Sequence, residues 1–234
     1  MQEQQRLEVF RAQTKNVKEL ERSWKHINRQ LNAFLLTNND VAVEVNTKIL
    51  ALVYCALAEA LFSKILHTPK GLALGDIQQV KTATKAGVKQ GWIKCVELAM
   101  RNVQGVKGNH GPNVRQRLER LIDEFIFDPS LLRNKLAHGQ WCQALNRDND
   151  AVNNDLTSEL ASLDAVVLYR RKDALQRLAA ILEDIIESPN KAHHRDYWVH
   201  LDRYQEEQQK MVAWTMANKV RRLREKAAYA KRNV

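Results

Sequence analysis

The chain is predicted to be all-α, a helical bundle with long helices at its N- and C-terminal ends. Three observations carry that prediction. No stretch alternates apolar and polar residues with period two for long enough to build a sheet. All eight glycines lie between Gly71 and Gly139, and the four prolines are Pro69, Pro112, Pro129 and Pro189, so both ends run far without the usual helix breakers. Near the N-terminus, Phe10, Val17, Trp24 and Leu31 recur every seven residues, with Leu20, Ile27 and Phe34 in the companion positions. There is no internal repeat.

That heptad seam predicts one long helix over 3–36, packed on another helix. "TNND" follows, where Asn39 or Asp40 can cap a second helix running to about His67. Its apolar residues, among them Ile49, Leu50, Val53, Leu57, Leu61 and Ile65, suit the central helix of a bundle. "HTPKGLALGD" reads as a loop, with Asp76 placed to cap a helix at 77–86, and a further helix covers about 91–103. "QGVKGNHGPN" is a glycine-rich loop before a helix from Val114 to Phe127. Asp128-Pro129 then reads as a cap with proline at the first helical position, so a separate helix begins there. "NRDNDAVNN", 146–154, is a polar loop. Thr157–Glu187 reads as one helix stopped by "SPN", and a last helix runs from about Asp196 into the basic end. The organisation divides as a long helix at 1–39, a helical domain at 40–190 and a basic-ended C-terminal helix at 191–234.

Composition narrows the function classes. At 234 residues the chain can bury a large core. It is 44% apolar and 27% charged, and no apolar run is expected to approach the roughly 18 residues of a membrane helix, so no membrane partner is expected. "MQEQQRLEVF" is too polar for a secretory signal. Cys55, Cys95 and Cys142 are far apart with no CxxC pair, which fits reduced thiols in a cytoplasm and argues against a zinc knuckle. The net charge is +10, and from Lys219 to Arg232 seven basic residues face Glu225 alone. Such a run either tracks a polyanion, nucleic acid first, or is a solvated helix end. Its candidate contacts are Lys219, Arg221, Arg222 and Arg224.

The stretch "LLRNKLAHGQW", 131–141, places polar groups inside an apolar helix. At about 100° per residue, and taking Arg133 as zero, Leu132 and Leu136 fall near about 260° and 300° and share the buried face. Asn134 and His138 fall near about 100° and 140°, displayed outward and close to each other. Arg133 points another way, so one straight helix does not aim Arg133 and His138 at a single small target. Either the helix breaks after the histidine, as Gly139 allows, or a second copy of the chain supplies the missing half. A break would set His138 at the negative end of the helix dipole, where a cationic imidazole is stabilised. An imidazole able to exchange protons near a fixed guanidinium suits chemistry on phosphate.

Arg133-Asn134-Lys135-Leu136-Ala137-His138 resembles the Arg-Asn-x-x-x-His motif of the HEPN superfamily, all-α domains that include many ribonucleases of toxin–antitoxin and antiphage defence systems. The motif covers six residues. The helical layout over about 40–190 is compatible with the family, and the long terminal helices exceed its minimal domain. The resemblance implies that His138 transfers protons, Arg133 binds phosphate and Asn134 orients the site, with Lys135 beside the substrate. It implies a cytoplasmic, metal-independent endoribonuclease with no cofactor, in which the RNA 2′-OH attacks the adjacent phosphorus and leaves a 2′,3′-cyclic phosphate. It also implies a homodimer with two motifs facing each other, and an antitoxin or other defence-system protein as a further partner. The alternative is a non-catalytic HEPN-like scaffold or nucleic-acid-binding module working through the basic C-terminal helix.

Other candidates carry less. His193, His194 and His200 lack acidic or cysteine partners at ligand spacing, and His110 lies in the glycine-rich loop, so no metal site is expected. Glu59 on the central helix either pairs with a basic residue near the motif, Arg133 being a candidate, or sits at a partly exposed edge. "KGNHGPN" is not a phosphate loop. Trp198, Tyr204, Met211 and Trp214 read as core or dimer-seam positions, not as base-stacking platforms.

Overall fold

The heptad seam folds as α1 (Glu3–Leu36), with Val17, Trp24, Leu31 and Leu35 buried along one side. Its partner is α2 (Asp40–Leu66), joined through a tight turn in which the Asn39 side chain accepts from Ala42 N–H. The two helices run antiparallel. Arg6, near the start of α1 and only 2% exposed, donates to the carbonyls of His67 and Thr68 just past the end of α2. This computed structural model describes residues 1–106 and 108–232, with side chains to 230. Lys231 and Arg232 of the basic run therefore lie outside the described side chains.

The remaining elements are α3 (Leu74–Lys85), α4 (Val88–Met100), α5 (His110–Ile122), a π turn at Asp123–Phe127, α6 (Asp128–Ala137), α7 (Asn154–Ser162), α8 (Ala165–Glu187), α9 (Ala192–Val212) and α10 (Met216–Arg232). The all-α prediction holds: among the described residues the only β feature is an isolated bridge between Leu145 and Val152. One apolar core runs from Val17 on α1 to Leu201 on α9. α2 lies at its centre, buried on several sides, with Phe62 stacked on Trp92 of α4 at 4.6 Å between ring centroids.

Several boundaries differ from the sequence reading, each for a local reason. α2 contains an 18-residue window of mean hydropathy 2.0, long and apolar enough to cross a membrane by length and composition, which corrects the reading that no such run exists. Its charges are too sparse to lower that average, and 56% of the window is buried within the protein, as in a core helix. Asp76 does not cap α3, which starts two residues earlier with Ala73 as cap residue; Asp76 sits in the first turn. The helix expected over 157–187 is two helices. Asp164 interrupts it, accepting from Val166 N–H at 2.7 Å and Val167 N–H at 2.8 Å, the arrangement of a new N-cap. The last helix likewise divides at 213–215. α10 is not a bare tail, because Met216, Val220 and Leu223 form an apolar edge packed on the core.

The correction that matters most concerns Asp128-Pro129. No cap forms there. α5 continues through the π turn into α6, with Asp128 N–H reaching back five residues to Asp123 O. Pro129 has no N–H to give the Phe125 carbonyl four residues earlier. The Tyr54 hydroxyl of α2 supplies the donor instead, 2.6 Å from Phe125 O and fully buried. The next residue on α2, Cys55, approaches Pro129 O through its thiol at 3.5 Å. Burial pushes the thiol of Cys55 up to about 12, with the Arg133 cation opposing the rise, so it stays protonated and can donate.

Tyr54→Phe should therefore destabilise the protein by about 1–3 kcal/mol, because it strands a buried carbonyl. At this size that lowers Tm by roughly 2–4 °C per kcal/mol. Thermal and urea unfolding would read the loss, which should shrink in a Pro129→Ala background where a backbone N–H returns beside Phe125 O.

Candidate functional site at the end of helix α6

α6 ends as the glycine predicts. Gly139 adopts φ 79°, in the left-handed region. Its N–H bonds to Leu136 O at 3.2 Å and the following Gln140 N–H bonds to Lys135 O at 2.9 Å, which is the Schellman pattern. The Trp141 indole adds a third donor, 2.9 Å from Leu136 O. His138 is the C-cap residue, with its backbone turned out of the helix. The face assignment also holds: Leu132 is 1% and Leu136 2% exposed, while Asn134 and His138 face solvent.

Asn134 and His138 line one hollow of about 570 Å³ together with Lys135, Gln140, Leu145, Arg147 and Asn149. The far wall is the loop after α6, cross-braced over a short span. Asn146 N–H reaches Ala151 O at 2.8 Å, Asn153 N–H reaches Ala144 O at 2.7 Å, and Gln140 accepts from Leu145 N–H at 2.8 Å while its amide donates to Asn149 at 3.3 Å. Lys135 helps build this wall. Its ammonium donates to Leu145 O at 2.6 Å, so it holds the loop instead of standing free beside a substrate. Among the described residues no group hydrogen-bonds the His138 imidazole.

Arg133 is not in that hollow. Its guanidinium turns to α2, donating to Glu59 Oε1 at 2.7 Å and to Asn134 Oδ1 at 3.1 Å. Both alternatives for Glu59 are thus met, since it pairs with Arg133 and remains 55% exposed. A pair this exposed contributes about 0–1 kcal/mol, so its effect is to aim the guanidinium more than to hold the fold. Within one chain, then, Asn134 and His138 share the hollow, and Arg133, bonded to Asn134, stands round the helix from His138.

No family model matches the chain, and no curated protein or solved structure matches it either. The HEPN resemblance rests on the six residues of the motif.

The basic C-terminal residues occupy a second place. Lys219, Arg221 and Arg222 line a groove of about 500 Å³ between α10, α8 and α1, with Lys210, Lys226, Asn218, Tyr169 and Trp214. Arg222 lies over the Trp214 ring at 5.8 Å, and Tyr169 flanks the same ring at 5.8 Å. Burial lowers the pKa of Lys219, with Asp164 acting the other way. Arg224 is outside the groove and donates to Asn38 at 2.9 Å. Trp214 and Trp198 are 38% and 54% exposed, so neither belongs to the core; Met211 is buried, and Tyr204 packs edge-on against Phe125. Gln140, Arg147 and Asn149 of the first hollow, and Tyr169 and Lys210 of this groove, carry no signal in the sequence. They are ordinary polar or aromatic residues whose grouping depends on loop closure and helix packing.

No Cβ at position 139 would meet another atom, so the cost of a side chain there is conformational only. Gly139→Ala should lose about 1 kcal/mol, and Gly139→Val more, because β-branched residues tolerate positive φ worst. Gly139→Asn should lose least. Denaturant unfolding of the three variants orders them.

Proposed function

We propose that the protein is a metal-independent endoribonuclease of HEPN type, acting as a dimer in which two α6 ends face each other. The observation that carries this reading is His138 itself: an exposed imidazole with no hydrogen-bond partner among the described residues, set at a helix terminus on the same hollow as Asn134, one helix turn away. Cleavage through the RNA 2′-OH needs a proton acceptor for that hydroxyl and a proton donor for the departing 5′-oxygen. Two His138 side chains across a dimer supply both, and Arg133, aimed by Glu59, offsets the charge on phosphorus. The attacking oxygen belongs to the RNA, so no metal-activated water is required, and the products are a 2′,3′-cyclic phosphate and a 5′-OH. A toxin or antiphage setting, in a cytoplasm and with a neutralising partner protein, follows from the resemblance alone.

A second reading has its own support. The α10 groove combines five cations with Tyr169 and Trp214, the mix that binds single-stranded nucleic acid through its phosphates and by stacking. On that reading the chain is a non-catalytic RNA-binding module.

Total RNA incubated with the protein in excess chelator separates the two. His138→Ala should lose about 10²–10⁴-fold or more of the cleavage rate while retaining fold and RNA affinity. Arg133→Ala should be similarly impaired and Asn134→Ala less. Full activity in His138→Ala would sink the site, and inhibition by chelator with rescue by a divalent ion would sink the mechanism. Light scattering should report a dimer at micromolar concentration; a monomer there removes the paired-motif geometry.

The groove is tested separately. Replacing Arg222 and Lys226 by glutamine should reduce the slope of log affinity against log salt by about 0.7 for each phosphate of single-stranded RNA that is no longer neutralised. An unchanged slope in filter-binding titrations reassigns the groove to helix packing.

A further inference from the structure

Away from both places, the start of α9 meets the start of α5 around a group of rings. Two adjoining hollows of about 270 and 280 Å³ share His110, Tyr197 and Trp198. Each is slightly below the roughly 300–1,000 Å³ of an ordinary small-molecule site, and joined they fall within it. His193 forms the floor, fully buried, with its Nε2 3.3 Å from His110 Nε2 and its Nδ1 buried without a hydrogen-bond partner. Burial, then the neighbouring His110 and His194, hold its pKa down to about 4, so near neutral pH its ring has one donor and one acceptor nitrogen. Tyr197 packs against both His110 and His193, and Trp198, 54% exposed, stands edge-on to Tyr197 at the opening.

The charge at this opening is one-sided. Arg117 and Arg120, three residues apart on α5, line the second hollow, and neither has a carboxylate partner among the described residues. Among the described residues no acidic side chain lines either hollow. The acids of the adjoining turns are engaged, Glu119 by Arg115 at 2.7 Å and Asp196 by Arg195 at 2.6 Å.

We propose that this double hollow binds a nucleoside phosphate, with the base against Trp198 and the imidazole edges and the phosphate on Arg117 and Arg120. A planar ring carrying mixed donors and acceptors matches the imidazole edges of His110 and His193, the latter with a nitrogen that has no partner. An anion attached to it matches two guanidinium groups that no carboxylate neutralises. A divalent metal fits less well, because metal-bound imidazoles usually donate their second N–H to an acceptor and His193 Nδ1 has none. A purely apolar ligand leaves the arginines unexplained. The nucleotide can be free or one link of an RNA strand; the local chemistry is the same. This site stands independently of the roles assigned to Arg133 and His138.

Calorimetric titration of the full chain with the four ribonucleoside monophosphates, their nucleosides, inorganic phosphate and a short single-stranded RNA tests this. At least one monophosphate should saturate with Kd below about 1 mM, and its nucleoside should bind about tenfold or more weakly. Trp198→Ala should weaken the monophosphate about tenfold or more, as expected when one stacking surface is removed. Arg117→Gln with Arg120→Gln should erase the difference between nucleotide and nucleoside. These positions are at the surface, and far-UV circular dichroism checks that each variant folds. A monophosphate that binds as tightly as the RNA identifies a free nucleotide as the source. RNA that binds more tightly and still depends on Trp198 identifies the strand. His138→Ala should leave monophosphate affinity unaltered, so the fate of this proposal and that of the cleavage proposal are read separately. Absence of saturation by every monophosphate, equal affinity for nucleoside and nucleotide, or indifference to Trp198→Ala each overturns the site. Micromolar Zn²⁺ binding abolished by His110→Ala, with no nucleotide binding, replaces it with a metal site.

Discussion

The hydrogen bond from Tyr54 to the Phe125 carbonyl is the interaction on which the placement of α6 depends. Pro129 removes the helical donor that the Phe125 carbonyl would otherwise have, and the π turn before it rotates the following helix relative to α5. A buried carbonyl without a donor is costly, so the central helix has to present a hydroxyl there. Tyr54 does so from α2, and Cys55 beside it meets Pro129 O. One turn further along the same helix, Glu59 meets Arg133. A single stretch of α2, Tyr54 to Glu59, thus holds α6 at its start and aims the guanidinium at its middle.

From that placement the rest of the motif's geometry follows. With Leu132 and Leu136 against the core, Asn134 and His138 must face outward, and the Schellman end at Gly139 sends the chain back across His138 as a braced loop. Lys135, carried on the intermediate face, ties that loop through Leu145 O. The hollow at His138 is therefore made of a helix end and a loop that the same helix holds in position. Arg133 is left on the α2 side. Its guanidinium is held by Glu59 and Asn134, while the His138 imidazole opens onto the hollow on the other side of Asn134.

The two basic regions differ in kind. Along α10 the cations are numerous, and Met216, Val220 and Leu223 seat them on the body of the protein, so the groove presents a fixed field. At α5 and α9, among the described residues, two arginines line the opening, above a set of packed rings. The first arrangement suits a long polyanion read through its charge, and the second suits one small ligand read through its shape.

Periodicity and breakers alone determined the helical class, the full extent of α1, a cap for α2 at Asn39 or Asp40, the buried and exposed faces of α6 and its stop at Gly139. These are local properties, set by backbone preference and by which residues share a side of a helix. The same reading misplaced Asp128-Pro129, because a cap and a proline inside a continuing helix look alike until the partner of the Phe125 carbonyl is known. It merged α7 with α8 because Asp164 resembles any helical aspartate until its carboxylate turns to the backbone N–H groups of the next helix. It overlooked the run of low charge in α2 that meets the length and hydropathy of a membrane span. It did not join His110 to His193 and Trp198, which lie more than eighty positions further along the chain. Only packing brought them to one opening, since contact between distant segments depends on how helices cross, and no spacing within the chain encodes that.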